Sequence, residues 1–590
     1  MPHDVIRRRR LAGATAAATA ALAALALAST TATTAAAVSA APTGPSSATW
    51  PTGGQNLDNS RNQAAETSVG TSNVAQLRPK ASWATNGAFT AGGDVSATPA
   101  LDETRAYFPA SNGKLFAVDL ATGTTAWSLN IADITGIKPA NGATGTDYAR
   151  ATPALFGSTL IIGTQSGKFE TPEWAAAHPD LAGAYVIGVN KTSGAVLWKT
   201  KIDPHFSAMV TQSAQVYAGT AFVGVASNEE AFANRDLTGG IPYTCCSFRG
   251  KMVALDVKTG QVKWQTYMLS GDAGYSGASI WGSTPAIDPA RNAVYVTTGN
   301  NYSLPADRIN CVNSATSFAD KQACLPGDYF DAIVALNLST GAIKWAHRAL
   351  ASDAWNTDCG LPGFSDGGTN PGNCPPEAGP DFDFGQGPML LRAKIGGKNT
   401  DVVGAGEKSG DFTMLNRDTG TVVWKTHVGP GGLTGGLQWG SATDGKRIYV
   451  AESNSANLNT PGYWAALDPA TGSELWRTTD PGVGIGNQPC AFYPGCTYGQ
   501  IGIGFGYSAE GPVSVANGVV YACSLNPVGP NMVAMDAATG AIRWTYASGS
   551  SCLGGAAVAN GTVYWGTGYR SFYPLTTPGD TLFAFSLNGS

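Results

Sequence analysis

Charge is scarce in this chain. Asp, Glu, Lys and Arg make up only 13% of its 590 residues, about half the usual share of roughly 25%. The formal net charge is −5, so there is no basic footprint, which argues against nucleic acid as a partner. Histidine is rarer still, with five residues, and no Cys-x-x-Cys-His segment occurs, so the sequence offers no attachment site for a c-type haem. Beyond the first 40 residues no run is long and apolar enough to span a bilayer. No cysteine precedes Cys245, whereas a lipid-anchored lipoprotein needs one just after its signal.

Glycine and tryptophan are plentiful, with 75 and 15 residues. Glycine supplies the positive-φ conformations of tight turns, so the mix points to an all-β chain. The start reads as an export signal. Arg7 to Arg10 form a basic stretch, an Ala/Leu-rich segment runs from Leu11 to about Ala28, and Val38-Ser39-Ala40 resembles a cleavage site. Residues 1–40 are therefore expected to be a signal peptide and 41–590 one domain of a secreted protein. Ten cysteines suit export. Proximity pairs Cys311 with Cys324, Cys359 with Cys374, Cys490 with Cys496 and Cys523 with Cys552. Cys245 and Cys246 are adjacent.

One phrase recurs: apolar-x-Ala-apolar-Asp/Asn-x-x-Thr/Ser-Gly-x-x-x-Trp. It occupies 115–127, 186–198, 252–264, 333–345, 412–424, 464–476 and 532–544, with a truncated copy at 582–589. Gly188 and Thr413 are read in place of the Ala in the second and fifth copies. Each copy makes a strand, a tight turn and a second strand ending at Trp. A further strand pair precedes it, as in 293–297 and 519–523. Four strands per unit is a propeller blade, and seven full copies plus one partial predict an eight-bladed β-propeller. The Trp of each blade can pack against the next sheet. The segment from Trp50 to Trp83 is expected to supply the strand missing from the last blade and so close the ring.

The phrase resembles the tryptophan-docking motif of pyrroloquinoline quinone-dependent (quinoprotein) alcohol dehydrogenases. The resemblance implies a bound quinone (PQQ) and a calcium ion, and it names site residues. Glu229, in Gly224-Val-Ala-Ser-Asn-Glu229-Glu230, resembles the family's calcium-binding glutamate, a hard oxygen donor suited to Ca2+. Glu230 is its less favoured neighbour. Asn300, in Thr298-Gly299-Asn300, resembles the amide ligand of the same ion, with Asn301 where the family carries proline. Asp353, in Ser352-Asp353-Ala354-Trp355-Asn356, resembles the catalytic base, with Ser352 in place of the family's His; Asp358 is the fallback. Lys408 stands where a cation touches the quinone oxygens. Arg150 resembles an arginine on the cofactor's acidic groups, Thr211 a cofactor-binding threonine and Trp281 the ring on which the cofactor stacks. Cys245-Cys246 resembles the family's adjacent-cysteine ring on the opposite face. Its place after Glu229, in Tyr243-Thr-Cys245-Cys246-Ser-Phe-Arg249-Gly250, is closest to the polyvinyl alcohol dehydrogenase branch.

The implied activity is oxidation of an alcohol, polymeric or secondary, with electrons passed to an external acceptor such as a cytochrome c. The main alternative is a non-catalytic propeller acting as a binding or assembly scaffold. Another is a polysaccharide hydrolase or lyase using Asp353 and Glu229 as paired carboxylates. Bound-quinone absorbance after reconstitution separates both from the oxidoreductase.

Overall fold

A computed structural model describes residues 49–138, 146–168, 170–234, 243–360, 372–376, 378–433, 435–455, 461–482, 508–527, 529–572 and 576–590. The expected signal peptide and the Cys490–Cys496 pair lie outside these residues. Among the described residues eight sheets, each with four antiparallel strands, follow one another along the chain, beside a separate two-stranded pair of Ser276–Gly277 with Asn301–Ser303. Seven are continuous in sequence, spanning 100–130, 154–203, 215–267, 286–348, 389–427, 442–479 and 514–546. The eighth takes three strands from 557–587 and completes itself with Leu77–Pro79, which runs antiparallel to Thr581–Leu587. These sheets are numbered blades 1 to 8 in that order. Apolar clusters lie between neighbouring blades, as between blades 3 and 4 or 7 and 8, so the core is a set of inter-sheet layers.

The repeated phrase builds the joints at the rim. Its Asp or Asn accepts backbone N–H groups from the turn, as Asp119 does from Ala121 and Thr122 at 3.0 and 2.9 Å. The turn ends on a glycine at positive φ, +72° at Gly260 and +74° at Gly341. The Trp of the preceding blade lies on that glycine; a Cβ on Gly260 would sit 2.5 Å from Trp198, so glycine is required twice over. The indole N–H then donates to a carbonyl of the same turn: Trp127 to Lys191, Trp198 to Val257 and Trp424 to Pro469, at 2.9, 2.9 and 3.0 Å. Opposite the Trp there is usually a small residue, Ala117 facing Trp127 and Ala254 facing Trp264, followed at once by a bulge. In the fifth copy that place belongs to Met414, which faces Trp424, and not to Thr413.

Trp83 replaces the Trp that the truncated copy lacks. It lies on Gly123 and donates to Leu120 O at 3.0 Å, joining blade 8 to blade 1. The stretch from Trp50 to Gln63 does something else. It crosses the hub as a strap and bonds the inner strand of every blade. Trp50 pairs with Leu101, Pro51 O accepts from Leu155, Leu57 O from Ile287, Asp58 O from Leu390, Ser60 O from Thr443 and Arg61 O from Val515. Side-chain amides complete the circuit, Gln215 to Asn56 O at 2.8 Å and Gln63 to Val558 O at 3.0 Å.

Candidate functional site

The predicted site residues sit in loops joining or flanking blade strands. Trp281 precedes blade 4, Asn300 follows its second strand Ala293–Thr297, and Lys408 follows Lys398–Gly406 in blade 5. One carboxylate that sequence reading missed ties these three together. Asp383 Oδ2 accepts from Trp281 Nε1 at 2.9 Å and lies 3.2 Å from Lys408 Nζ. Its Oδ1 accepts the backbone N–H of Asn300 at 2.5 Å. The approach is close enough that a Cβ on Gly299 would lie 2.6 Å from Asp383 Oδ1. Glycine is therefore needed before Asn300.

Lys408 also bonds both oxygens of Asp381, at 2.9 and 3.0 Å, and stands 5.5 Å from the Trp281 ring centroid. Burial works against its ammonium, but Asp381, Asp383 and Glu230 outweigh it and hold Lys408 well above its ordinary pKa. Asp381 is pushed upward by burial and, against the pull of Lys408, by Asp383, Glu230 and Asp353. It adopts a left-handed backbone, φ +58°. Carboxylates outnumber this cation, so the cluster is electronegative and suits a further cation.

Asp353 is fully buried, and its two oxygens accept the backbone N–H groups of Asp381 and Phe382 at 3.1 and 2.8 Å. Burial raises its pKa to about 6. Its side chain thus holds the loop that carries Asp381 and Asp383. Asp358, the fallback, accepts from Asn373 and Cys374 through Oδ2, while its buried Oδ1 has no partner among the described residues.

The two adjacent glutamates divide. Glu229 Oε1 accepts from Tyr243, from Ser247 N and Oγ, and Oε2 from Phe248 N at 2.8 Å, so it is spent on the loop bearing the cysteines. Burial opposes its ionised form, but His205, Tyr243 and Phe248 outweigh it and keep the pKa low. Glu230 is different: its carboxylate takes no hydrogen bond from a described residue and feels Lys408 and Asp383. Burial lifts its pKa to about 7. Asn300 donates Nδ2 to Trp355 O at 2.9 Å, which leaves Oδ1 as its open end. Glu230 and Asn300 therefore offer the free oxygen donors that a hard divalent ion takes. Among the described residues no three His, Cys, Asp or Glu side chains converge on one point, so such an ion needs further oxygens from elsewhere.

A second aromatic extends the site. Trp439 packs edge-on to Trp281, centroids 5.6 Å apart, and carries the Arg150 guanidinium 4.6 Å above its ring. Thr211 Oγ1 donates to Trp281 O at 3.1 Å. Arg150, Thr211, Trp281 and Lys408 thus form one chain of contacts through Trp439. The signal for Asp381 and Asp383 was present in Asp381-Phe-Asp383-Phe-Gly385, two acids alternating with aromatics just before a strand. Nothing in the sequence marked Trp439.

Cys245 and Cys246 are joined by a disulfide, and so are Cys311–Cys324, Cys359–Cys374 and Cys523–Cys552. The adjacent pair reaches the site through Asn373. This side chain accepts from Cys245 N at 3.0 Å and donates to Tyr243 O, while its own carbonyl takes the Asn356 amide at 2.7 Å. Thr357 Oγ1 in turn donates to Glu230 O at 2.6 Å.

Known proteins resemble the chain along its length. The profile of the glucose/ethanol/alcohol dehydrogenase β-propeller domain matches residues 50–364. That of the outer membrane protein assembly factor BamB matches 408–486 and 462–587. A polyvinylalcohol dehydrogenase of Sphingopyxis sp. (strain 113P3) is 29% identical over 444 residues, 68% of this chain and 60% of that protein. One from Pseudomonas sp. is 27% identical, over 76% of this chain and 67% of that protein. The quinohemoprotein alcohol dehydrogenase of Comamonas testosteroni has the same fold, with a TM-score of 0.63 at 17% identity over 92% of this chain and 81% of that one.

Proposed function

The chain belongs to the quinoprotein alcohol dehydrogenase β-propeller family, and from that premise we propose that it oxidises an alcohol with bound PQQ and calcium. The observation that carries this reading is Asp383, which draws Trp281, Asn300 and Lys408 onto a single carboxylate. A scaffold propeller has no use for that convergence.

In this reading the face of Trp281 and the Cys245–Cys246 ring enclose the flat cofactor. Arg150 and Thr211 would hold its acidic groups, and Lys408 would face its carbonyl oxygens. Glu230 and Asn300 Oδ1 would hold the ion, because Glu229, expected as the ligand, already accepts from Tyr243, Ser247 and Phe248. The quinone, when bound, would supply a two-electron acceptor and the ion a Lewis acid. Asp381 would take the hydroxyl proton, as a buried carboxylate held against the Lys408 ammonium. Asp353 becomes a positioning residue that fixes Asp381 through its backbone N–H. Lys408 supplies fixed positive charge where negative charge develops.

The substrate proposed is polyvinyl alcohol or another secondary alcohol, in line with the names of the two relatives above. Electrons leave to an external acceptor such as a cytochrome c. Secretion is supported by the leader-like start and the disulfides. Reconstitution with PQQ and Ca2+ tests the whole reading. Expected are quinone absorbance on the protein, removable with a chelator, and dye reduction that depends on a secondary alcohol. A protein that retains no quinone would refute it.

A further inference from the structure

The chain leaves the site after Asn300 and comes back to it at Asp331, whose N–H donates to Gly299 O at 3.0 Å. One buried side-chain pair shuts the base of the stretch between: Asn301 Nδ2 donates to Asp328 Oδ2 at 2.9 Å. Beyond that pair lie the helices Ala306–Ser314 and Phe318–Ala323, joined by the Cys311–Cys324 disulfide. Arg348 secures their return, donating to Gln322 O and Leu325 O at 2.6 and 3.1 Å. The backbone of Asn301 is committed elsewhere. Its N–H donates to Asp353 O at 3.0 Å and its carbonyl accepts from Trp355 N at 2.8 Å, forming a parallel bridge to Ala354. Asn300 Nδ2 adds a bond to Trp355 O at 2.9 Å. Asn301 thus ties together the loop of Asn300, the segment of Asp353 and the base of the helical insertion.

We propose that Asn301 and Asp328 are a positioning pair, which fixes where Asn300 Oδ1 stands relative to Asp353. The proposal rests on the calcium role given to Asn300 above. Successive side chains of an extended segment point to opposite faces. A hold on Asn301 from one side therefore orients Asn300 on the other. Asn301 Oδ1 and Asp328 Oδ1 are buried without a partner among the described residues, so no neighbour replaces the bond once it is cut. Breaking it leaves polar atoms unsatisfied in the interior, which makes the hold strict.

The probe is Ca2+, titrated by calorimetry into the PQQ-loaded protein after chelation. Asp328→Ala and Asn301→Ala should each weaken calcium binding roughly tenfold, the loss of one buried hydrogen bond. Both should lower kcat with KM for the alcohol little changed. Asp328→Asn keeps an acceptor for Asn301 and should recover most of the affinity. Exchanging the partners, Asn301→Asp with Asp328→Asn, reverses the bond. The exchanged pair should bind calcium more tightly than Asn301→Asp alone, which sets two carboxylates against each other. The rim variant Trp264→Phe controls for stability loss as such and should match wild type in calcium affinity. Without any ligand, the amides of Asn301 and Trp355 should exchange faster with deuterium in Asp328→Ala. Wild-type protein that takes up neither quinone nor calcium refutes the dehydrogenase reading and the role of the pair with it. Where wild type takes up both, unchanged calcium affinity in whichever alanine variant folds, or unchanged exchange at both amides, overturns the pair alone.

Discussion

The rim and the hub of this molecule are built on opposite plans. At the rim one device recurs at joint after joint: an indole on a glycine, its N–H on a neighbouring carbonyl. At the hub even the like contacts are set in different surroundings. Asp383 joins the Trp281 indole to Asn300 and Lys408, whereas Glu510 takes the Trp439 indole beside the Ser508 hydroxyl, and Arg150 lies over Trp439. Repetition spreads stability over many equal parts, so each is individually expendable. Uniqueness concentrates chemistry, so no other residue can stand in.

Four experiments break or sharpen that contrast. The largest effect belongs to Asp381→Asn, which should lower turnover on alcohol by about 10²–10⁴-fold while quinone absorbance is retained. Unchanged turnover would remove Asp381 from the reaction. Next comes Lys408→Met, which strands Asp381 and Asp383 without their cation. Breaking a buried pair from one side is expected to destabilise by roughly 3–5 kcal/mol, read from urea unfolding. A rim change should be smaller. Trp264→Phe loses the indole bond to Leu338 O, 3.2 Å long, at about 1 kcal/mol, with activity intact. Combining it with Trp476→Phe, whose bond to Ala537 O is 3.1 Å, should give the sum of the two. A large excess over the sum would show that the joints are not independent.

The smallest effect is a slope with pH. Asp147 and Glu452 are both raised to about 7, chiefly by burial, and each has one oxygen without a donor among the described residues. In the unfolded chain such acids titrate near about 4. Between those values the native state holds more protons than the unfolded one, so stability falls as pH rises from about 4 to about 7. Tm of the protein should decline across that window, and Asp147→Asn should flatten the decline. A Tm that climbs from pH 5 to 7 contradicts the assignment.

The rim was readable in the sequence because its physics is periodic. Asp, Gly and Trp stand at fixed offsets, and each offset has one geometric cause. Ring closure was readable too, since the truncated copy lacked a strand; Leu77–Pro79 supplies it while Trp50 to Gln63 goes to the hub. The site was readable in part. Trp281, Asn300 and Lys408, named from the sequence, share Asp383, but the direction in which the side chains of Glu229 and Glu230 turn is not encoded in a pair of adjacent acids. The bonds from Asp353 to the backbone of Asp381 and Phe382 were not legible either, because those partners lie 28 and 29 positions away.

The strap alters how such a molecule can come apart. Open arrays of repeats fray from their terminal units inward. Here residues near position 60 are knotted by hydrogen bonds to inner strands hundreds of positions downstream. Peeling one sheet away therefore tugs on a cord laced through all the others. Melting should be a single concerted event, and the amides of Leu155, Ile287, Leu390 and Val515 should exchange with deuterium at one common, slow rate.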